Sequence, residues 1–183
     1  MANKHILSLE LSPVSNCEIL CIKDTSQYTS DLSIDCEELL ITSPGFNKPT
    51  LINVKHGFDL CLNSCALGIQ TIDCGGTRGN IVDGIYIIRY SVSPTEKVYV
   101  EYNHLRICNI LSRYYQILCD IDMKPCEPDS ERSELISELA YIKTLIDAAV
   151  AKVEYCQDAT AGMELYNYAK KRLGKIDCSA LCC

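Results

Sequence analysis

No stretch of this chain approaches the roughly 20 consecutive apolar residues that a membrane-spanning helix requires, so a helical membrane span is not expected. Basic runs are missing as well. The formal net charge is -7 and the pI near 4.9, which argues against a protein that binds nucleic acid by neutralising phosphates. Catalytic signatures are equally absent: there is no G-x-S-x-G, no H-E-x-x-H, no Walker lysine and no dinucleotide fingerprint, and His5, His56 and His104 show no ligand spacing to one another. The Gly-rich run at residues 74–80, CGGTRGN, lacks the Gly-Lys-Ser/Thr ending of a phosphate loop and is followed by strand-like residues, so it reads as a hairpin loop. The residues after Lys4, HILSLELS, are too short and too polar for a signal-peptide apolar region, and the expectation is a protein made and kept in a cytoplasm. No enzyme activity and no cofactor are expected.

What is present is an ordinary folding composition with one oddity. With 183 residues, 48% of them hydrophobic and 22% charged, the chain has material for one large domain or two small ones. The oddity is 13 cysteines, an odd number with no export signal before them, for which reduced thiols are the default expectation. Structural zinc is the sharper alternative, because three pairs have the form C-x-x-x-C: Cys17 with Cys21, Cys61 with Cys65, and Cys178 with Cys182, which Cys183 follows. If the first pair lies on a strand, its members sit roughly 13 Å apart and do not reach one metal. Cys61 with Cys65, and the tail Cys178, Cys182 and Cys183, are the sets able to chelate, while Cys108 and Cys119 stand among leucine and isoleucine as small apolar fillers. The expectation is therefore no metal, with the tail as the weak candidate.

The stretch that organises the chain is residues 83–123, where two strands run without a linker into a long apolar helix. Residues 85–92 are dense in β-branched and tyrosine residues, and residues 97–102 alternate Val98, Val100 and Tyr102 against Tyr99 and Glu101. Asp83-Gly84-Ile85-Tyr86 is similar to the start of the tyrosine-corner strand of immunoglobulin-like sandwiches, whose phenol bonds back to the chain upstream; a turn followed by an ordinary tyrosine-bearing strand is the plain alternative. Before this stretch, short segments near residues 4–11, 17–23, 39–42, 50–54 and 58–62 read as strands, with a further apolar segment at 67–72 and turns at Pro13, Ser43-Pro44-Gly45 and His56-Gly57. Such spacing predicts an antiparallel β-sandwich over residues 1–102, immunoglobulin-like by preference, with barrel and jelly-roll closures open.

A helical domain is expected over residues 103–174, as a hairpin or three helices, with residues 175–183 as a flexible Cys-rich tail. In the first helix Ile107, Ile110, Tyr114, Ile117 and Ile121 make one seam, Cys108, Leu111, Tyr115 and Leu118 a second, and Arg106, Asn109, Arg113, Gln116 and Asp120 a narrow polar stripe. Two seams ask for two partners. After a short loop, Asp129 or Ser130 caps a second helix with the seam Leu135, Leu139, Ile142, Ile146, Ala149, Val153, Cys156. Asp158 caps a third, residues 159–173, ending at Gly174; alternatively the second and third form one element bent at Gly162. The carboxylates Asp120, Asp122, Glu127, Asp129, Glu131, Glu134 and Glu138 face only Lys124 and Arg132, which marks a solvated loop and helix start.

The segments DGIYIIRY and KVYVEY leading into LRIC, followed by LYNYAKKRL in the helical part, resemble the small neck or tail ring proteins of crAss-like bacteriophages. The likeness covers the last half of the chain more than the first. It implies a non-enzymatic virion protein, a homo-oligomeric ring between portal and tail, with the portal and other neck or tail proteins as partners, no membrane, and DNA passing nearby without sequence-specific binding. On that reading Ile107, Ile110, Tyr114, Ile117, Ile121, Leu139, Ile142 and Ile146 form the assembly interface, and Asp120, Asp122, Glu127 and Asp129 face the channel. An immunoglobulin-like module holding a ligand or glycan on its loops, or a cytoplasmic adaptor pairing through its helices, are the competing expectations.

Overall fold

The computed structural model describes residues 9–10, 19–24, 37–54, 59–69, 81–93, 98–122 and 129–176. It is an α+β fold. Seven strands, β1 (Leu9–Glu10), β2 (Ile19–Asp24), β3 (Glu37–Thr42), β4 (Thr50–Val54), β5 (Asp59–Asn63), β6 (Gly84–Ser93) and β7 (Val98–Arg106), precede three helices among the described residues. The helices are α1 (Cys108–Asp122), α2 (Asp129–Glu154) and α3 (Ala159–Leu173). The chain divides into a β unit, residues 1–82 with 86–103, and a helical unit, residues 83–85 with 104–183.

In the β unit one sheet has the order β1-β2-β5 and the other β4-β3-β6-β7. β1 with β2, β2 with β5, β3 with β4 and β3 with β6 are antiparallel. The alternation read from the sequence selects the buried set, since Leu20 and Ile22 on β2, Leu39 and Ile41 on β3, and Tyr86, Ile88 and Tyr90 on β6 are each two residues apart. They join Val54, Leu62, Leu67, Ile69 and Ile81 in a single apolar cluster. Leu67 and Ile69, from the apolar segment after β5, reach it from a turn and the residue that follows it. There Asn63 Oδ1 accepts from Ala66 N at 3.0 Å and Thr50 Oγ1 donates to Leu67 O at 2.9 Å. The Pro44-Gly45 turn between β3 and β4 closes with Phe46 N donating to Ser43 O at 3.1 Å, and Gly45 takes φ +82°, the second-position geometry of a type II turn. Tyr86 Oη donates to Val82 O at 2.9 Å, four residues upstream.

Reduced thiols are corrected. Cys21 on β2 lies directly opposite Cys61 on β5, with Cα atoms 4.0 Å apart and the sulfurs bonded. Cys65 and Cys108 are also in disulfides, while Cys119 and Cys156 are free. The cause is strand register: opposite residues of an antiparallel ladder stand within disulfide reach, and register between strands 40 residues apart has no signature in spacing.

In the helical unit, Leu105, Ile110, Tyr114, Ile117 and Ile121 pack with Leu139, Ile142, Ile146, Ala149 and Val153 of α2 and Tyr166, Ala169 and Leu173 of α3. α2 and α3 are separate helices. The chain turns after Tyr155, with Gln157 at φ +55°, and Asp158 caps α3 by accepting from Ala161 N at 3.0 Å. Gly162 is therefore no bend point. It lies one turn into α3 against α2, where an added Cβ would sit 2.3 Å from Val153 Cγ2 and 3.0 Å from Ala149 O. Gly162→Ala is expected to cost about 1–3 kcal/mol by overpacking, although alanine favours a helix by about 1 kcal/mol over glycine. Urea unfolding checks this; a variant as stable as the parent would mean that α2 and α3 part freely.

The strand before α1 is longer than the sequence suggests. β7 continues to Arg106, so Arg106 does not belong to the polar stripe of the helix and is instead 4% exposed. Cys156, placed at the end of the α2 seam, lies beyond the helix and is exposed.

Candidate assembly surface

The seven seam residues Ile110, Tyr114, Ile117, Ile121, Leu139, Ile142 and Ile146 are all buried in the core of the helical unit, and Ile107 packs against that core half-buried. A single chain thus accounts for the first seam. The second seam is different. Cys108, Leu111 and Leu118 are half-buried and Tyr115 is 53% exposed, with its ring edge-on to Tyr114 at 5.3 Å. Ser112, Arg113, Gln116 and Cys119 flank it, all exposed. Leu111 and Leu118, like Ile107, pack half-buried against the core of the helical unit, so of this seam it is Tyr115 that stands mostly exposed.

The acidic residues expected to face a channel are not alike. Asp120 is half-buried and accepts from Gln116 Nε2 at 3.0 Å, whereas Asp122 is exposed with Arg132 Nη2 at 3.5 Å. Glu127 lies outside the described residues, and Asp129 is described only as the first residue of α2. Glu131 and Glu134 are exposed. Glu138 is instead tied to α3, its two oxygens each 2.6 Å from Arg172 Nε and Nη2. Arg172 also donates to Tyr168 Oη at 2.8 Å and lies over the rings of Tyr141 and Tyr168. The hydrogen bond from Arg172 holds Glu138 below the usual carboxylate range, and Glu138 in turn raises Arg172. The pair lines a surface pocket with Tyr168, Lys171, Lys175 and Ile176, but its members satisfy one another.

Two buried polar groups were not legible in the sequence. Asp83 receives four hydrogen bonds: Oδ1 accepts from Arg106 Nη1 at 3.0 Å and Asn109 N at 2.9 Å, and Oδ2 from Ile110 N at 2.8 Å and Tyr166 Oη at 3.0 Å. It thereby supplies, from outside the helix, the acceptor that the first turn of α1 lacks locally. Burial first, and the Asp83 carboxylate next, push the Tyr166 phenol well above its usual range. The second group is Glu154, whose Oε1 lies 2.6 Å from His104 Nδ1 and accepts from Leu105 N at 3.2 Å. Both are networks that tie strand residues 104–106 to the helices.

Among the described residues no group of three or more His, Cys, Asp or Glu is placed to hold a metal. Cys61 and Cys65, one of the chelating pairs, are both in disulfides, and Cys178, Cys182 and Cys183 lie outside the described residues. No described helix is long and apolar enough to cross a membrane. No protein-family model, curated protein or solved structure matches the chain.

Proposed function

We propose that this chain is a structural subunit that assembles with copies of itself into a closed ring, as in the neck or tail of a crAss-like phage virion, and carries out no chemistry. The observation that carries the reading is Tyr115 of α1, exposed beside Leu111 and Leu118, which the core of their own unit covers only in part. The assembly contact accordingly moves from the first seam to the second. A contact of this kind is heterologous, one patch of each subunit meeting a different patch of the next, and it closes when the rotation closes. Exposed carboxylates such as Asp122, Glu131 and Glu134 suit a lumen through which a duplex slides without sequence-specific contact, since they repel phosphate. The portal and other neck or tail proteins are the neighbours on this reading, and the β unit is an immunoglobulin-like sandwich that decorates the ring. The Tyr86–Val82 bond supports that finer assignment, because a tyrosine-corner phenol bonds to the backbone a few residues upstream.

The test is the solution mass of the purified chain, with negative-stain images of any large species, for the parent and for Tyr115→Glu. The parent should form a ring of many copies, and the variant should fall to a monomer with an unchanged far-UV spectrum. A ring that survives Tyr115→Glu would remove α1 from the interface. A monomeric parent would favour the second reading, an immunoglobulin-like ligand- or glycan-binding module. That alternative draws on the exposed Phe46 and Leu51 beside the β3–β4 turn.

A further inference from the structure

We propose that the Cys21–Cys61 disulfide is a lock closed after folding: the β unit reaches its native sheet with both thiols reduced, and a small disulfide oxidant of the glutathione class joins them afterwards. The placement of the two sulfurs carries this. On β2 the residues flanking Cys21, Leu20 and Ile22, point into the core, and on β5 Leu62 does the same, whereas Cys21 is half-exposed and Cys61 exposed. Alternation along both strands thus puts the pair on the outward face of its sheet. No core side chain has to move for the bond to form or break. The register from Ile19 opposite Asn63 to Lys23 opposite Asp59 is set by backbone pairing and by the buried leucines and isoleucine, and it brings the two Cα atoms to 4.0 Å. A disulfide sealed in a core must form before the core closes. One on a sheet face need not.

The chemistry balances with one named co-reactant. The exposed Cys61 thiolate attacks a sulfur of the small disulfide, forming a mixed disulfide and releasing one small thiolate. The Cys21 thiolate, held opposite by the register, then attacks Cys61 Sγ and releases the second. Two protein thiols are oxidised by two electrons, the small disulfide is reduced to two thiols, and the two protons pass to them. The closed loop encloses β3 and β4, the turn between them and their contribution to the core, so the bond restrains strands of both sheets although it touches one. A chain of this kind folds and assembles in a reducing cytosol and stiffens once outside it. That timing rests on the virion reading; the chemistry does not.

The experiment uses the full chain, purified under reductant and then freed of it. Its circular dichroism and cooperative urea unfolding are recorded before and after glutathione disulfide, with alkylation and peptide mapping at each stage. The expected result is cooperative unfolding before oxidation, a linked Cys21–Cys61 peptide after it, and a raised unfolding midpoint whose rise is smaller in Cys21→Ser/Cys61→Ser. A Cys21→Ser/Cys61→Ser variant with no cooperative transition while its other cysteines are oxidised would overturn the proposal, because this bond would then be a condition of folding. So would Cys21 and Cys61 remaining fully alkylated after glutathione disulfide, or an equal rise in the double variant. Solution mass is measured in the same samples. A monomer that still locks would reject the ring and leave the lock standing, and a ring that never locks would do the reverse.

Discussion

Asp83→Ala is expected to destabilise the helical unit by about 3–5 kcal/mol, the usual cost of removing one partner from a buried ion pair. Asp83 and Arg106 side chains are each 4% exposed, so water cannot replace what the carboxylate supplies. The loss has three parts. Arg106 is left without its short contact to Asp83, the first turn of α1 loses the acceptor for Asn109 N and Ile110 N, and Tyr166 Oη loses its bond from α3. Missing helix caps alone cost about 0.5–2 kcal/mol. Asp83→Asn separates charge from geometry: its single carbonyl oxygen keeps about half of the four bonds, while its amide group meets donors. It should fall between parent and alanine variant in urea unfolding. If Asp83→Ala unfolds at the parent midpoint, the carboxylate is no anchor of α1.

Ile117→Asp carries a penalty of similar size for a different reason. Ile117 is fully buried in the helical core, so the variant gives up roughly 1.5–3 kcal/mol of apolar burial and must either hold an unpaired charge or protonate it. About 3–5 kcal/mol is expected, a large share of the 5–15 kcal/mol by which domains are stable. The effect should appear in unfolding of the subunit at any concentration, not in the number of subunits per particle. Tyr115→Glu, two residues away on the exposed side, should do the opposite: assembly lost, folding kept. Equal stability of Ile117→Asp and parent would show that α1 does not pack through this seam.

Helix periodicity is legible in the sequence, because a helix carries its reporting residues within a few positions of each other. Ile110, Tyr114, Ile117 and Ile121 are buried as their 3-4 spacing implies, as are Leu139, Ile142, Ile146, Ala149 and Val153, and Asp158 and Gly174 bound α3 as expected. What failed to show was whatever depends on residues far apart. The seam says that α1 needs cover, yet not whether that cover is α2 or another subunit, and the residues expected at an assembly contact are ones that the chain buries for itself. The start of α1 has no local mark, because its cap is Asp83, 25 residues before Cys108, and no nearby acceptor shows the boundary. Cys21 and Cys61 looked like members of C-x-x-x-C pairs because neighbours along the chain are visible and partners across a ladder are not. Charge count likewise grouped Glu138 with the solvated acids, although Arg172, 34 residues on, claims it.

The helical unit is not a continuous piece of polypeptide, and this bears on how it can be made. Residues 83–85 belong to it, but residues 86–103 between them and the helices belong to the β unit. During synthesis Asp83 leaves the ribosome before the β6–β7 pair is finished and waits for Tyr166, 83 positions later, to complete its set of bonds. Closing so long a segment delays the reward until late in translation, and contacts of such separation form slowly. A gene fragment beginning at residue 104 encodes all three helices and still omits the acceptor that begins the first of them, so truncation at the apparent domain border yields a chain that starts its helical bundle without its anchor.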